Sequence, residues 1–324
     1  MKAIICRQLG GPELLSYEEL PSAAIKPGEV RIAVASAGVN FPDTLQIAGK
    51  YQMKLDPPFT PGAEVAGTVT EVGAKVSHIK VGDHVAAMLP FGGYASECLA
   101  NAQGVLPLPP EMDMQAAGGF PLVYGTTIHA LKQRGQLKAG ETLLVLGAAG
   151  GVGLAAVQLG KLMGARVIAA ASSDEKLALC TAQGADAVIN YSKASLKDSI
   201  KTLTKGQGAD VIYDPVGGAL GEECLSCIAW NGRYLVIGFA SGPIPNLAAN
   251  RLLLKGASAV GVFWGAFTMR EPAVNLANFK ELFALISAGT LKPYVSHAYP
   301  LKDAGQAMLD MQARKVTGKI VLVP

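Results

Sequence analysis

The segment of this sequence with the clearest chemical potential is Gly147–Gly153, which holds four glycines in seven residues. It follows an apolar run, Leu143–Leu146, typical of a buried strand, and it precedes a helix-like segment, Leu154–Met163. Glycine lets backbone N–H groups approach a ligand closely, and the N-terminus of a helix carries partial positive charge. A strand, a glycine turn and a helix start therefore predict a binding site for the pyrophosphate of a dinucleotide.

The spacing within this turn follows the dinucleotide fingerprint with one departure. Ala148 stands at the position of the first glycine, and Gly150 and Gly153 stand at the second and third. Such a motif alone could be an ordinary tight turn. The predicted cofactor contacts in the loop are Gly150, Gly151, Val152 and Gly153.

The residues around the loop decide between these interpretations. Short apolar segments alternate with helical patterns over the following hundred residues. Strands are predicted at Arg166–Ala171, Ala187–Ile189, Val211–Asp214, Arg233–Gly238 and Ala259–Val262, and helices at Asp174–Gln183, Ala194–Leu203 and Gly218–Ala229. Because this alternation is typical of βαβ units, the sequence predicts an α/β fold with a doubly wound parallel sheet. That context favours a dinucleotide site over a structural turn.

The end of the second strand of this sheet bears on the choice of cofactor. NAD-dependent enzymes usually place an Asp or Glu there to hold the ribose 2′-OH. Here the position is Ala171, followed by Ser172, and Lys176 lies one turn into the next helix. A neutral strand end beside a cation favours NADPH, because nothing repels the 2′-phosphate. Alternatively, Ser172 only caps the helix and Lys176 is a surface lysine.

The composition restricts the class of protein. Half of the residues are hydrophobic and 16% are charged, which predicts a large core. The net charge of +3 and the absence of a basic patch argue against nucleic-acid binding. Five scattered cysteines, including the pair Cys224 and Cys227, are interpreted as buried free thiols, which suits the cytoplasm. The uncharged stretch Thr142–Gly160 is long enough to span a bilayer, but the glycine turn interrupts it, so we expect no membrane span.

The first part of the chain has a different pattern. Short alternating segments such as Val30–Ser36 and Val65–Val72 are separated by Gly, Pro and Asp turns, which predicts a twisted antiparallel β domain. Near the end, helices are expected at Leu276–Ala288 and Lys302–Lys315, and Gly318–Val323 is expected to be a strand that returns to the first domain. We therefore expect one domain from residues 1–122 and 265–324, and a nucleotide-binding domain from residues 123–264.

Several motifs together resemble one family. They are Gly140–Leu144 and Ala148–Gly153 with Gln158 and Lys161, and in support Ala37–Asp43, Pro61–Gly67, Asp214–Gly218 and Gly318–Leu322. The chain resembles the medium-chain dehydrogenase/reductase superfamily, in its zinc-free, zeta-crystallin-like quinone oxidoreductase branch. The resemblance implies a GroES-like, mainly antiparallel β domain joined to a Rossmann domain, with the active site between them. It also implies a homodimer paired through the last Rossmann strand, near Ala257–Trp264.

The resemblance also identifies the positions at which zinc-dependent relatives carry metal ligands. These positions hold Asn40, Ala63 and the segment Gly118–Leu122, which do not provide the ligands that zinc requires. We therefore expect no metal. Without a Lewis acid, hydride addition to a quinone or an α,β-unsaturated carbonyl is easier than alcohol oxidation, because the developing charge is delocalised onto the acceptor oxygen.

Tyr51 and Asn40 are the catalytic candidates. Similarity to mitochondrial-type enoyl thioester reductases, in which a tyrosine follows a similar glycine, implies that Tyr51 donates a proton; a phenol is protonated at neutral pH. Tyr51 could instead be a packed loop residue, and Asn40 either binds cofactor or substrate or stabilises a turn. The resemblance further implies cofactor contacts at Thr127 and Gly217 beside the nicotinamide, Tyr191 beside the 2′-phosphate and Phe239 under the ribose.

The expected function is NADPH-dependent, zinc-independent hydride transfer to a small quinone or another activated conjugated carbonyl. One alternative within the same chemistry is an enoyl thioester or 2-alkenal reductase. An alternative from another class is a non-catalytic, NADPH-binding crystallin-like or RNA-binding protein, which the modest net charge disfavours.

Overall fold

The computed structural model describes residues 1–324, which form two compact units. The first unit comprises Met1–Leu122 and Phe283–Pro324, and the second comprises Val123–Leu282. The chain leaves the first unit near residue 122 and returns to it within its longest helix.

The elements are numbered in chain order. The strands are β1 (Lys2–Cys6), β2 (Leu15–Glu19), β3 (Glu29–Gly38), β4 (Glu64–Val72), β5 (His84–Met88), β6 (Glu97–Asn101), β7 (Val105–Pro107), β8 (Thr142–Val145), β9 (Arg166–Ala171), β10 (Ala187–Asn190), β11 (Ala209–Asp214), β12 (Ile228–Val236), β13 (Ser258–Gly261), β14 (Val295–Pro300) and β15 (Lys319–Val323). The helices are α1 (Phe41–Ile47), α2 (Met114–Gly118), α3 (Pro121–Ile128), α4 (Gly151–Leu162), α5 (Asp174–Ala182), α6 (Leu196–Leu203), α7 (Gly218–Cys224), α8 (Ala249–Lys255), α9 (Trp264–Arg270), α10 (Pro272–Ser287) and α11 (Ala304–Gln312).

The first unit is built on a mainly antiparallel sheet. Its strand order is β14-β15-β3-β4-β5-β7, β6 also pairs with β3, and β1 and β2 form a separate antiparallel pair. The terminal strand β15 joins this sheet by antiparallel pairing with β3 through Val321 and Leu322. The predicted return of the chain end to the first domain is therefore confirmed.

The second unit is built on a parallel sheet of six strands in the order β10-β9-β8-β11-β12-β13. The order runs outward in both directions from β8 and β11, which is the doubly wound arrangement. Helices cover such a sheet on both faces, so strands such as β8 and β9 are almost wholly apolar and buried. The predicted antiparallel β domain and doubly wound parallel sheet are both confirmed.

Several predicted boundaries are wrong. The helix predicted at Gly218–Ala229 ends at Cys224, because Ala209 of β11 pairs with Ile228 and so β12 begins directly after a turn. The strand β12 therefore starts five residues before the predicted Arg233. Helices α8 and α9 were not predicted, because their sequences lack a clear apolar face.

The second unit also extends beyond the predicted domain end at residue 264. Its last compact residue is Leu282, within α10. Side chains of α9 and the first part of α10 contact this unit: His129 stacks on Phe267, and Gln133 exchanges hydrogen bonds with Asn278. The assignment of residues 1–122 and 265–324, and of 123–264, to separate domains stays a prediction.

All five cysteines are buried and free, as the sequence predicted. None of the helices combines the length and the apolar character needed to cross a bilayer. The stretch Thr142–Gly160 contains β8, the glycine turn and most of α4, as expected.

Candidate functional site

The glycine loop after β8 is shaped by a close backbone contact. Gly147 has φ +54°, and a Cβ on Gly153 would lie 2.3 Å from the Gly147 carbonyl oxygen and 2.8 Å from the Ala148 Cα. A side chain at residue 153 would therefore push the first turn of α4 away from the loop. Gly150 is the N-cap of α4, and the first turn of the helix carries no acidic side chain. Its unpaired N–H groups are suited to an anion such as a pyrophosphate.

Thr127, on α3, contacts this loop through its hydroxyl group. Its side chain is wholly buried, and the hydroxyl lies 2.9 Å from the Tyr213 hydroxyl and 3.4 Å from the Val152 carbonyl oxygen. It also donates to the Val123 carbonyl, at 2.7 Å. These contacts link α3, β11 and the glycine loop. Thr127 therefore supports the loop directly, and its contact with a nicotinamide stays a prediction.

At the end of β9, Ala171 is buried and Ser172 and Lys176 are half-buried. The N-cap of α5 is Ser173, whose hydroxyl accepts the N–H of Lys176, so the cap expected at Ser172 is wrong by one residue. Ser172 is instead linked to the chain after β10, because its carbonyl accepts the hydroxyl of Ser192 at 3.0 Å. The half-buried Tyr191 is held at the same strand end, since its N–H donates to the Ala171 carbonyl.

A carboxylate does lie near this strand end, on Asp174. The Asp174 carboxylate accepts hydrogen bonds from Lys193, at 2.5 Å, and from Asn190, at 2.6 Å. The Lys193 and Asn190 hydrogen bonds lower the pKa of Asp174. Its negative charge is therefore matched by the Lys193 ammonium, while the neighbouring Glu175 is exposed on the first turn of α5.

Two loops meet at the carboxyl ends of β11 and β12. Asp214 Oδ1 accepts the N–H groups of Val216 and Gly217, at 2.7 and 2.9 Å. Its other oxygen accepts the hydroxyl of Tyr234, and burial raises the pKa of this carboxyl. Asp214 thereby fixes the turn in which Gly217 has φ +69°, a conformation that favours glycine.

The loop after β12 lies against that turn. Phe239 is in contact range, because a Cβ on Gly217 would lie 3.0 Å from its ring. The N–H of Ser241 donates to the Val216 carbonyl at 2.9 Å. The Ser241 hydroxyl is buried and has no hydrogen-bond partner. A buried polar atom without a partner is costly, so this hydroxyl marks a place where a ligand could bind.

In the first unit, Asn40 is part of a buried polar cluster. Its amide donates to Glu64 Oε1 at 2.9 Å, and its amide oxygen accepts a hydrogen bond from Lys319. Lys319 also pairs with Glu64 at 2.8 Å, and all three residues are buried. The second oxygen of Glu64 accepts the N–H of Leu122. Both polar ends of the Asn40 amide are thus engaged inside the protein.

Tyr51 and Asp43 lie beside this cluster. Asp43 Oδ2 accepts the N–H of Asn40 and the hydroxyl of the buried Tyr94, both at 2.8 Å. Burial raises the pKa of Asp43 to about 6. Tyr51 is half-buried, and burial together with the nearby Asp43 charge raises its pKa, which keeps the phenol protonated at neutral pH.

The structure thus groups the predicted site residues by unit. Thr127, the four loop residues Gly150–Gly153, Ser172, Lys176, Tyr191, Gly217 and Phe239 lie in the second unit, and Asn40 and Tyr51 lie in the first. Sequence reasoning missed the roles of Glu64, Tyr94, Lys193, Ser241 and Lys319. A signal existed for one of them, because Lys319 is a charged residue that begins an otherwise apolar strand.

Two segments of the chain match known protein families, and the whole chain is similar to named proteins. Residues 26–121 match the alcohol dehydrogenase GroES-like domain, and residues 151–281 match the family described as zinc-binding dehydrogenase. The quinone oxidoreductase-like protein 2 homolog of Nematostella vectensis is 40% identical over 324 residues, covering 99% of this chain and 88% of that protein. The quinone oxidoreductase of Pseudomonas aeruginosa is 36% identical, covering 97% of each.

This chain belongs to the quinone oxidoreductase family of medium-chain dehydrogenases/reductases. A solved member of that family, Escherichia coli quinone oxidoreductase complexed with NADPH, is 31% identical and superposes with a TM-score of 0.92, covering all of both chains. The mycobacterial protein Rv1454c, solved with NADPH, is 34% identical with a TM-score of 0.93. The family resemblance and the GroES-like and Rossmann folds expected from the sequence are confirmed.

The donor groups of this chain do not fit the zinc site that the family description suggests. No three His, Cys, Asp or Glu side chains lie close enough together to hold a metal ion. Asn40 is engaged with Glu64 and an ammonium group, and the neighbouring Ala63 has no donor atom. A zinc site needs about three protein ligands of the N, S or carboxylate type.

We expect the substitution Asp43→Asn to change how stability depends on pH. The pKa of Asp43 in the folded chain, about 6, exceeds its ordinary value of 3.8, so the folded state holds this proton more tightly than the unfolded state does. The resulting stabilisation is present below pH 3.8 and is lost as the pH rises through 6. Between pH 5 and pH 8 the free energy of unfolding of the wild type should fall by about 1 kcal/mol more than that of the variant.

Urea unfolding of both proteins at the two pH values measures this difference. The exposed Asp56, changed to Asn, provides a control that should retain the wild-type slope. Identical pH slopes for wild type and Asp43→Asn would show that Asp43 does not titrate in this range.

Proposed function

We propose that this chain is an NADPH-dependent oxidoreductase that transfers hydride to quinones or other activated conjugated carbonyl compounds without zinc. The observation that carries the proposal is the glycine loop after β8, in which Gly153 packs directly on Gly147 and leaves the start of α4 open to a phosphate. Its support from comparison is likeness over the full chain to a quinone oxidoreductase solved with NADPH.

The residues present fit this cofactor at three places along the parallel sheet. Gly150, Gly151, Val152 and Gly153 would hold the pyrophosphate at the α4 N-terminus. Ser172, Lys176 and Tyr191 would surround the 2′-phosphate at the end of β9. Thr127, Gly217 and Phe239 would lie along the nicotinamide half, where the unpartnered Ser241 hydroxyl adds a hydrogen-bonding group.

The preference for NADPH over NADH follows from the charges at the end of β9. The carboxylate nearest to this strand end in sequence, Asp174, is paired with Lys193 and so does not repel a phosphate. The Lys176 side chain adds a cation within the same turn. A phosphate held by cations and hydroxyls gains charge-assisted hydrogen bonds that a 2′-hydroxyl cannot provide.

The chemistry suits an acceptor that is already electron-poor. Bound NADPH would supply a hydride, and the protein would stabilise the negative charge that develops on the acceptor oxygen by hydrogen bonds. Tyr51 is suited to this task, because its phenol is protonated and its hydroxyl makes no hydrogen bond within the protein. We therefore assign Tyr51 as the proton donor, and we assign Asn40 to the support of this site.

The same tyrosine favours a second candidate function, the reduction of 2-alkenals or enoyl thioesters. Reduction of a carbon–carbon double bond needs a proton as well as a hydride, and a positioned phenol can deliver it. Reduction of a quinone depends less on such a donor, because solvent can protonate the product oxygens.

We also propose that the chain forms a homodimer through β13. This strand is at the edge of the parallel sheet and pairs only with β12. Four large apolar side chains near it in sequence, and one on the neighbouring strand β12, are 63 to 79% exposed: Leu253, Leu254, Phe263 and Met269, and Trp230. Such a concentration of exposed apolar residues beside an open edge is typical of a subunit contact.

We expect NADPH to be used with a KM at least about tenfold lower than that of NADH. The substitution Lys176→Ala should raise the KM for NADPH and leave that for NADH nearly unchanged, because only NADPH carries the 2′-phosphate. Steady-state consumption of each cofactor against quinones, 2-alkenals and enoyl thioesters, with and without a chelator, measures this. Lys201→Ala, an exposed change on α6, serves as the control.

Equal KM values for the two cofactors would contradict the cofactor assignment, and loss of activity with chelator would contradict zinc independence. Product analysis across the panel identifies the bond that is reduced. Tight binding of RNA with no turnover of any acceptor would favour the non-catalytic alternative.

We expect Tyr51→Phe to lower kcat on 2-alkenals or enoyl thioesters by about tenfold or more, because the proton donor is removed. The effect on quinones should be smaller. The matched control is Tyr17→Phe, which alters an exposed phenol on β2. Unchanged rates for Tyr51→Phe on every acceptor would leave Tyr51 with a packing role only.

We expect the double substitution Leu253→Glu and Leu254→Glu to convert a dimer into monomers, because four like charges would face each other across the proposed contact. Sedimentation velocity of wild type and variant measures the mass. Val81→Glu, an exposed apolar change in the first unit, should leave the mass unchanged. A wild type that sediments as a monomer at micromolar concentration would contradict the dimer.

A further inference from the structure

Lys319 is a buried lysine at the start of the last strand. Its side chain is 6% exposed, and its ammonium contacts three oxygen atoms. These are the Val39 carbonyl oxygen at 2.9 Å, the Asn40 amide oxygen, and Glu64 Oε1 at 2.8 Å. An ammonium has three N–H donors, so each of them has one acceptor in this cage.

Both oxygen atoms of the Glu64 carboxylate in this cage also accept hydrogen bonds. Glu64 is 0% exposed, and it accepts from the Asn40 amide and from the Leu122 N–H in addition to the ion pair. Burial of a charged carboxylate is costly unless a cation or hydrogen bonds compensate it. Lys319 provides the only cation that contacts it.

The cage brings together three segments of the chain. Asn40 begins α1, Ala63 directly precedes Glu64, and Gly119 packs on the Lys319 stem, since a Cβ there would lie 2.5 Å from the Lys319 Cγ.

We propose that Lys319 is an internal cation that positions the Asn40–Asp43 turn of the active site. The proposal rests on the function proposed above. Lys319 fixes the Asn40 amide and the Val39 carbonyl, and the Asn40 N–H in turn binds Asp43. Asp43 accepts the hydroxyl of Tyr94, and the N–H of Tyr51 donates to the Leu45 carbonyl of α1 at 3.2 Å. The ammonium thus acts on the proton donor through this turn and without touching substrate.

The test compares four variants: Lys319→Met, Lys319→Arg, the double variant Glu64→Gln with Lys319→Met, and the control Lys315→Met. Lys319→Met removes the charge and keeps most of the stem. The double variant removes both charges, so it leaves no unpaired buried carboxylate even if Lys319→Met alone fails to fold. Lys315 is four residues earlier and 70% exposed, in a surface ion pair with Asp310.

Three quantities are measured for each protein: the melting temperature, the kcat and KM for NADPH and a quinone, and hydrogen exchange of the peptide that covers Val39–Ile47. The double variant should regain most of the melting temperature lost by Lys319→Met. It should still show faster exchange in that peptide and a kcat about tenfold or more below wild type, since small displacements of catalytic groups have effects of this size. Its KM for NADPH should stay within about twofold, because the cofactor residues lie in the other unit. Lys319→Arg should recover part of the kcat, and Lys315→Met should match wild type.

Full recovery of kcat and exchange protection in the double variant would overturn the proposal, because Lys319 would then only neutralise Glu64. Unchanged exchange of the 39–47 peptide in Lys319→Met and in the double variant would overturn it too. If none of the acceptors tested supported oxidation of NADPH by the wild type, the proposed function would fail. The exchange data would still decide whether Lys319 holds this turn.

Discussion

Glu64 is a carboxylate buried in a sheet, and the cation that pairs with it is on the last strand of the chain. The Glu64–Lys319 pair spans 255 residues of sequence and joins the start of β4 to the start of β15. Glu64 also accepts hydrogen bonds from the start of α1, through Asn40, and from the start of α3, through Leu122. Because water is excluded from both side chains, removal of one partner would leave an uncompensated charge in the interior. The geometry of the polar cluster in the first unit depends on this pair.

The second unit depends on a different constraint, the close approach of backbone to backbone. Gly153 packs on the Gly147 carbonyl, and Gly160 packs on the side chain of Leu143, where a Cβ would lie 2.6 Å from a methyl carbon. These two contacts set α4 tightly against β8. The first turn of the helix is thereby presented at the carboxyl end of the strands, where doubly wound sheets bind their ligands. Asp214 and Thr127 then fix the neighbouring loop and helix by hydrogen bonds to backbone and hydroxyl groups.

Electrostatics connects these features to the chemistry. The acidic group near the end of β9 is paired with Lys193, and the acidic group beside Tyr51 is buried with hydrogen bonds from Tyr94 and Asn40. Burial and the Asp43 charge together raise the pKa of Tyr51, which keeps its phenol protonated.

Local pattern was sufficient for the parallel sheet, the phosphate loop and the antiparallel first domain, because strand and glycine signals depend on neighbours in sequence. Tyr51 became a candidate through resemblance to enoyl thioester reductases, and its role stays a prediction. Local pattern failed at the end of α7, where the pairing of Ala209 with Ile228 decides the boundary, and at α8, whose Leu253 and Leu254 are exposed. It also failed at α9, which buries Trp264 and Phe267. The sequence by itself determined the fold class and the presence of a phosphate loop. Only the tertiary structure decided that Asn40 meets Glu64 and Lys319 and that Asp174 meets Lys193, because these contacts depend on chain segments that the fold alone brings together.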